Sequence, residues 1–301
     1  MTGEPRRLAS VARLFVRAVL IGLALAMLIF ALSDWSLSDA HAYWEAAWRI
    51  RAGQELYPAV ADVEASTVFR YSPWFAIAAV PFTYLSPEAA GALWSFILVA
   101  ASIASVAPLV RSGALVPALF FGCVLIGISA IGNAQPLIVA ALVWGLERRS
   151  GPLWIAVTAS LKAVPILFAF VYLGRRQWGR FAMSLLLTGA LVAPFLLYDL
   201  SNYVTSAGFA GLLITWPPLY VLVVGAGVVI TVGLARGRFG WLAAATTVSL
   251  ALPRFFVYDL TFLMPGTLPT APATGTLRWL RGHSRHDKIA EPESPEGGLI
   301  P

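Results

Sequence analysis

The stretch SDWSLSDAHAYWEAAWRIRAGQELYP, from Ser33 to Pro58, gathers Asp34, Asp39, His41, Glu45, Glu55, Arg49 and Arg51 among five large aromatic residues. A carboxylate held beside aromatic rings at a boundary between lipid and water can act as a general base and take a proton from a sugar hydroxyl. Asp39 is the first candidate. From Asp39 to Ala52 the apolar Ala40, Tyr43, Trp44, Ala47 and Trp48 recur at i, i+3, i+4, i+7 and i+8, which predicts an amphipathic helix. Glu45 and Arg49 stand one turn apart on another face and are spaced for an ion pair. Ser38 or Asp39 can cap the start, and Gly53 can end the helix. Spacing alone therefore leaves two readings of Asp39. One is a helix cap worth about 1 kcal/mol. The other is a base facing a cavity. Asp34 is the rival carboxylate, but it directly ends the preceding apolar run and reads as an interfacial residue.

The elements that must position this stretch are helices in a membrane. Of 301 residues, 59% are hydrophobic and 12% charged, and mean hydropathy is +0.78. Soluble domains carry about 25% charged residues. The excess of 21 Lys and Arg over 15 Asp and Glu does not point to nucleic acid. In such a chain it mostly records orientation. Cys123 is the single cysteine, which excludes an internal disulfide and a thiolate metal site. Apolar runs near 14–32, 88–110, 113–131, 134–147, 181–198, 211–234 and 239–253 are candidate spans. Three further segments, 72–86, 152–173 and 255–268, are short or interrupted. Arg6, Arg7, Arg13 and Arg17 place the N-terminus in the cytoplasm and the 33–58 stretch outside. If 72–86 dips in without crossing, and 152–173 breaks at Lys162–Pro165 and returns, then Arg148, Arg149, Arg175, Arg176 and Arg180 share the cytoplasmic side. Non-helical backbone at membrane depth is tolerated where it lines protein or water. Both dips thus mark the lining of a site. Residues 269–301, rich in Pro, Gly and charge, read as a largely disordered cytoplasmic tail after a membrane domain over 1–268.

Four segments in this order, DAHAYWEAAWRIRAGQELYP, FRYSPWFAIAAVPFTYLSPEAAGALW, IGNAQPLIVAALVWGLERR and LKAVPILFAFVYLGRRQW, resemble glycosyltransferase family 87 of the GT-C superfamily. A weaker similarity continues to YDLTFLMP. The resemblance implies an all-α, polytopic GT-C-like helical bundle of about 8–10 spans, with an amphipathic juxtamembrane helix in its first outer loop. It implies a membrane enzyme that moves a sugar, mannose above others, from a polyprenyl phosphate to a lipid or glycan acceptor on the outer face of the cell membrane. It makes Asp39 the base of a single inverting displacement, with no cofactor beyond the lipid-linked donor. The chain stops soon after YDLTFLMP, where that family commonly continues, which implies a reduced acceptor pocket.

The leaving phosphate needs cations or donors. Arg70, Lys162 and Arg254 are the candidates, with Tyr71 beside Arg70. Arginine suits phosphate through its planar fork, and an outer-side position of Arg70 and Arg254 favours them; snorkelling at the interface is the bland alternative. Lys162 lies in the middle of an apolar segment, where a charge is expensive. That makes it a functional candidate for the phosphate, but in the arrangement with the 152–173 break it sits too deep for an outer phosphate and can instead satisfy carbonyls at the helix break. Asn133 and Gln135 in GNAQ can hydrogen-bond sugar hydroxyls or make a polar turn. Asp259, five residues after Arg254, reads first as that arginine's ion-pair partner and second as another catalytic carboxylate. His41, His283 and His286 show no metal-ligand spacing. The competing functions are a transporter or flippase of lipid-linked sugars, and a shortened, non-catalytic member of the family.

Overall fold

The computed structural model describes residues 4–33, 35–63, 65, 67–204 and 209–268. Asp34 and the tail from 269 onward lie outside them. The described chain is almost entirely helical: α1 (Glu4–Ser33), α2 (Ser38–Arg51), α3 (Pro73–Ala79), α4 (Pro87–Arg111), α5 (Leu115–Ala130), α6 (Gln135–Gly145), α7 (Gly151–Leu161), α8 (Ala169–Gly174), α9 (Trp178–Val192), α10 (Leu212–Thr215), α11 (Pro217–Leu234), α12 (Gly240–Leu250) and α13 (Met264–Thr267). Four 3₁₀ segments, Val80–Tyr84, Val164–Phe168, Ala193–Leu197 and Val257–Leu263, extend or bridge them. The strand pair among the described residues is β1 (Phe209–Ala210) with β2 (Arg254–Phe255), antiparallel, with Ala210 opposite Arg254.

Local sequence explains the boundaries. Proline opens α3, α4, α6, α7 and α11 within their first two positions, where its missing N–H costs nothing. Ser86 caps α4 by accepting from the Ala89 N–H. Gly53 (φ 66°), which follows α2, and Gly113 (φ 76°), which follows α4, supply the left-handed turn that ends a helix.

Pro87–Arg111, Trp178–Leu197 and Pro217–Leu234 are the helices among the described residues that are long and apolar enough to cross a membrane. In the last two, hardly any residue is fully buried, although α9 packs on α7 and α11 on α12, as expected of helices with one face toward lipid. Two of the expected spans are shorter than their apolar runs. The 134–147 run forms the 11-residue α6, and the 239–253 run forms the 11-residue α12. At 1.5 Å per residue, each is about half as long as a bilayer core is thick. The 211–234 run is also broken, at Trp216 between α10 and α11.

The 152–173 segment reverses. α7 ends at Leu161 and Lys162 is extended (φ −135°, ψ 114°). Pro165 then opens a 3₁₀ turn, since it has no N–H to continue the ladder. The chain returns through α8 to the level at which α7 began. There the Tyr172 hydroxyl donates to Leu146 O at 2.6 Å, and Arg175 pairs with Glu147 at 3.0 Å. Arg180 donates to the same Leu146 carbonyl at 3.1 Å. Residues 146–148 and 172–180 thus share one end of the molecule, and Lys162 is carried to the opposite end of the hairpin. The packing around it is apolar: Ile138, Leu142, Ile155, Phe168, Trp241 and Phe262 form one buried cluster between α6, α7, α8 and α12.

Candidate active site

α2 is wedged more deeply than its amphipathic pattern suggests. Ala40, Ala42, Tyr43, Ala46 and Ala47 are buried, while Trp44 and Trp48 are only half-buried. The small side chains let α2 sit close to its neighbours, and Tyr43 fills the space left. Its ring meets Tyr71, Phe75 and Trp94 edge-on, at centroid distances of 5.2, 5.1 and 5.9 Å. Such pairs add about 0.5–1.5 kcal/mol each beyond their buried area. The Glu45–Arg49 ion pair forms as the spacing predicts.

Asp39 is not the helix cap. The cap position belongs to Leu37, which is left-handed (φ 53°) and offers no side-chain acceptor. The start of α2 is instead held by backbone bonds to the end of α5: Leu37 N–H to Ala130 O at 3.1 Å, and Asp39 N–H to Ile131 O at 2.8 Å. Gly132 permits this approach. Its φ is 80°, and a Cβ there would lie 2.6 Å from Ala40 Cβ. With the cap reading removed, the Asp39 side chain is left for other work. Asn133 Nδ2 donates to Asp39 Oδ2 at 2.6 Å. Among the described residues, the other oxygen, Oδ1, has no hydrogen-bond partner.

Burial pushes the Asp39 carboxyl up to about 6. The hydrogen bond from Asn133 and the positive charges of Lys162 and Arg70 act in the opposite direction. Burial wins because it disfavours the charged form more than these groups favour it.

The remaining residues singled out from the sequence are placed differently from one another. Asn133 joins Asp39 directly. Its own carbonyl oxygen accepts from the Gln135 N–H at 2.9 Å, which fixes the amide with its nitrogen toward Asp39. Gln135 is fully buried and donates to Thr261 Oγ1 at 3.0 Å. It braces α6 against the 257–263 turn, and its Oε1 is buried without a hydrogen-bond partner among the described residues. Arg70 turns inward on its own loop, donating to Val63 O at 2.6 Å, Ala65 O at 2.9 Å and Val68 O at 3.2 Å. Tyr71 packs between Tyr43 and Phe75, and its carbonyl accepts from the Tyr57 hydroxyl at 2.8 Å.

Two expectations are corrected. Asp259 pairs with Lys162, at 3.0 Å, and its second oxygen accepts from the Phe256 N–H at 2.9 Å. Both oxygens are engaged without Arg254, which lies in β2 opposite Ala210. Correspondingly, Lys162 does not serve the carbonyls at the helix break. Its ammonium meets a buried carboxylate and lies over the rings of Tyr258, at 4.7 Å, and Phe262, at 5.8 Å. The sequence offered no signal for this partner, because 97 residues separate the two. Thr261 was missed altogether; a threonine in an apolar run carries no pattern that marks it. Among the described residues, no three His, Cys, Asp or Glu side chains come together as a metal set.

The fold and site therefore define an all-α membrane protein that holds a raised carboxylate beside a buried lysine–carboxylate pair. Residues 69–210 match the model of glycosyltransferase family 87. That region contains Arg70, Tyr71, Asn133, Gln135 and Lys162; Asp39, Arg254 and Asp259 fall outside it. Neither the curated proteins nor the solved structures gave a match. The family match supports a membrane glycosyltransferase, a transferase with a sugar donor and an acceptor.

Proposed function

We propose that the protein transfers a sugar, mannose above others, from a polyprenyl phosphate carrier to a lipid or glycan acceptor on the outer face of the membrane, with Asp39 as general base. The observation that carries this is the state of Asp39: one oxygen held by Asn133 and the other without a partner among the described residues. A base is most effective when its pKa lies near the working pH, and burial brings Asp39 to about 6.

In the proposed step, Asp39 Oδ1 takes the proton of the acceptor hydroxyl. The freed oxygen forms a bond to the anomeric carbon from the face opposite the phosphate. The bond from that carbon to the phosphate oxygen breaks, and the lipid phosphate leaves with the electron pair. The configuration inverts. The leaving group carries its own negative charge and needs no proton, so the site must supply positive charge there instead.

The test is transfer from labelled polyprenyl-phosphate-mannose to a membrane lipid extract by the purified protein. Label should enter the lipid fraction with the wild type and not with Asp39→Asn. Transfer at the wild-type rate by a folded Asp39→Asn protein overturns the mechanism.

A further inference from the structure

We infer that Lys162, with Asp259 as its buried counter-ion, is the cation that meets the lipid phosphate; this rests on the donor class proposed above. Three cations were candidates, and the structure separates two of them clearly. Arg70 gives three of its five N–H donors to carbonyls of its own loop, those of Val63, Ala65 and Val68, and its Nε is buried without a partner among the described residues, so two of its three nitrogens are tied to that loop. Lys162 is built differently. An ammonium has three N–H donors, and among the described residues only Asp259 Oδ1 accepts from it. Its other neighbours are the faces of Tyr258 and Phe262. Ring faces attract a cation without using up its donors as an oxygen would.

Exposure points the same way. The Lys162 side chain is 18% exposed and Asp259 1%. The carboxylate is sealed, whereas the lysine side chain keeps part of its surface exposed. A sealed pair of this kind is poor evidence for stability, because desolvation of both charges offsets their attraction. It is better explained by keeping a cation in place where one is needed. The place fits: hydrogen bonds run from Asp39 to Asn133, from Asn133 to Gln135 and from Gln135 to Thr261, two residues after the Asp259 that holds Lys162, and the base and the leaving group of one displacement must share a small volume. Lys162 is also at the tip of the α7–α8 reversal, so the chain break at Lys162–Pro165 is what places the ammonium beside Asp259.

The test is equilibrium binding of farnesyl phosphate, with farnesol as the uncharged control, to the detergent-solubilised full chain. Lys162→Met alone strands a buried carboxylate, so the informative variant is Lys162→Met with Asp259→Asn, which removes both charges together. Affinity for farnesyl phosphate should fall at least tenfold while affinity for farnesol is unchanged. Arg70→Met, tested in parallel, should leave the preference for the phosphate intact. Equal affinity of wild type and double variant for farnesyl phosphate overturns the assignment, and so does an equal loss for farnesol. Because no sugar is transferred, the result is independent of Asp39. A wild type that binds the phosphate through Lys162 but transfers no sugar would sink the proposed function and leave this assignment standing.

Discussion

The carboxylate of Asp39 and the side-chain amide of Asn133 meet at 2.6 Å across 94 residues of chain. The amide donates, so it stabilises the ionised carboxylate and offsets part of the burial that raises its pKa. Removing it should raise that pKa further. Asn133→Ala is therefore expected to move the acid limb of the pH–rate profile to higher pH. In the wild type, turnover should fall as pH drops through about 6, where Asp39 takes up its proton. A profile unchanged in the variant would separate Asn133 from the base.

Asp39→Asn should lower turnover by about 10²–10⁴-fold, the range general-base catalysis supplies. It should also stabilise the protein above neutral pH, and the sign follows from linkage. Between the ordinary 3.8 and the raised value of about 6, the folded state keeps a proton that the unfolded chain has lost. Folding stability falls as pH rises through that window, and the full cost persists above it. Asparagine carries no such cost. Thermal melts should show the variant more stable than wild type at pH 8, with the difference shrinking toward pH 4. A less stable variant at pH 8 would contradict the burial argument.

Gly132→Ala tests the joint between α5 and α2. The left-handed backbone at φ 80° strains any side chain there by about 1–3 kcal/mol. The new methyl also strikes Ala40, next to the base. Loss of thermal stability together with loss of turnover is expected. A fully active, stable Gly132→Ala protein would mean that α2 can shift without moving the carboxylate.

The α7–α8 reversal makes a topological forecast. Cysteines placed one at a time at Arg149 and Arg176, in a Cys123→Ala background, should respond alike to a membrane-impermeant thiol reagent in intact cells. The Tyr172–Leu146 and Arg175–Glu147 contacts bring these two segments to one end of the molecule. Labelling of one position and not the other would contradict the hairpin.

Much of this was legible in the sequence, for physical reasons. Apolar composition gave the helical membrane class, and proline and glycine marked the helix ends. The break at Lys162–Pro165 announced itself as a charge and an imino acid in an apolar run. Asp39 drew notice among the carboxylates gathered in 33–58, but spacing left cap and base both open and only the family resemblance favoured the base. The partners could not be read. Asn133 read as a sugar ligand or a polar turn residue, Arg70 as a phosphate ligand or a residue snorkelling at the interface, and Asp259 first as the partner of the nearby Arg254. Each of those readings used neighbours in the chain, whereas Asp39–Asn133 and Lys162–Asp259 are contacts made by tertiary packing. Local spacing also misplaced the helix cap, because α2 begins on backbone bonds to Ala130 and Ile131 and has no use for a side-chain acceptor.

The long sequence separation of these pairs bears on how the protein is made. Asp39 is synthesised early, but its Asn133 partner follows only after α3, α4 and α5. Lys162 waits longer still, until Asp259 emerges near the end of the last described helical turns. A chain halted on the ribosome anywhere before Asp259 has no sealed carboxylate with which to neutralise its lysine. The two contacts are thus completed in order, Asp39–Asn133 first and Lys162–Asp259 only after the whole stretch from α7 to α12 has been made.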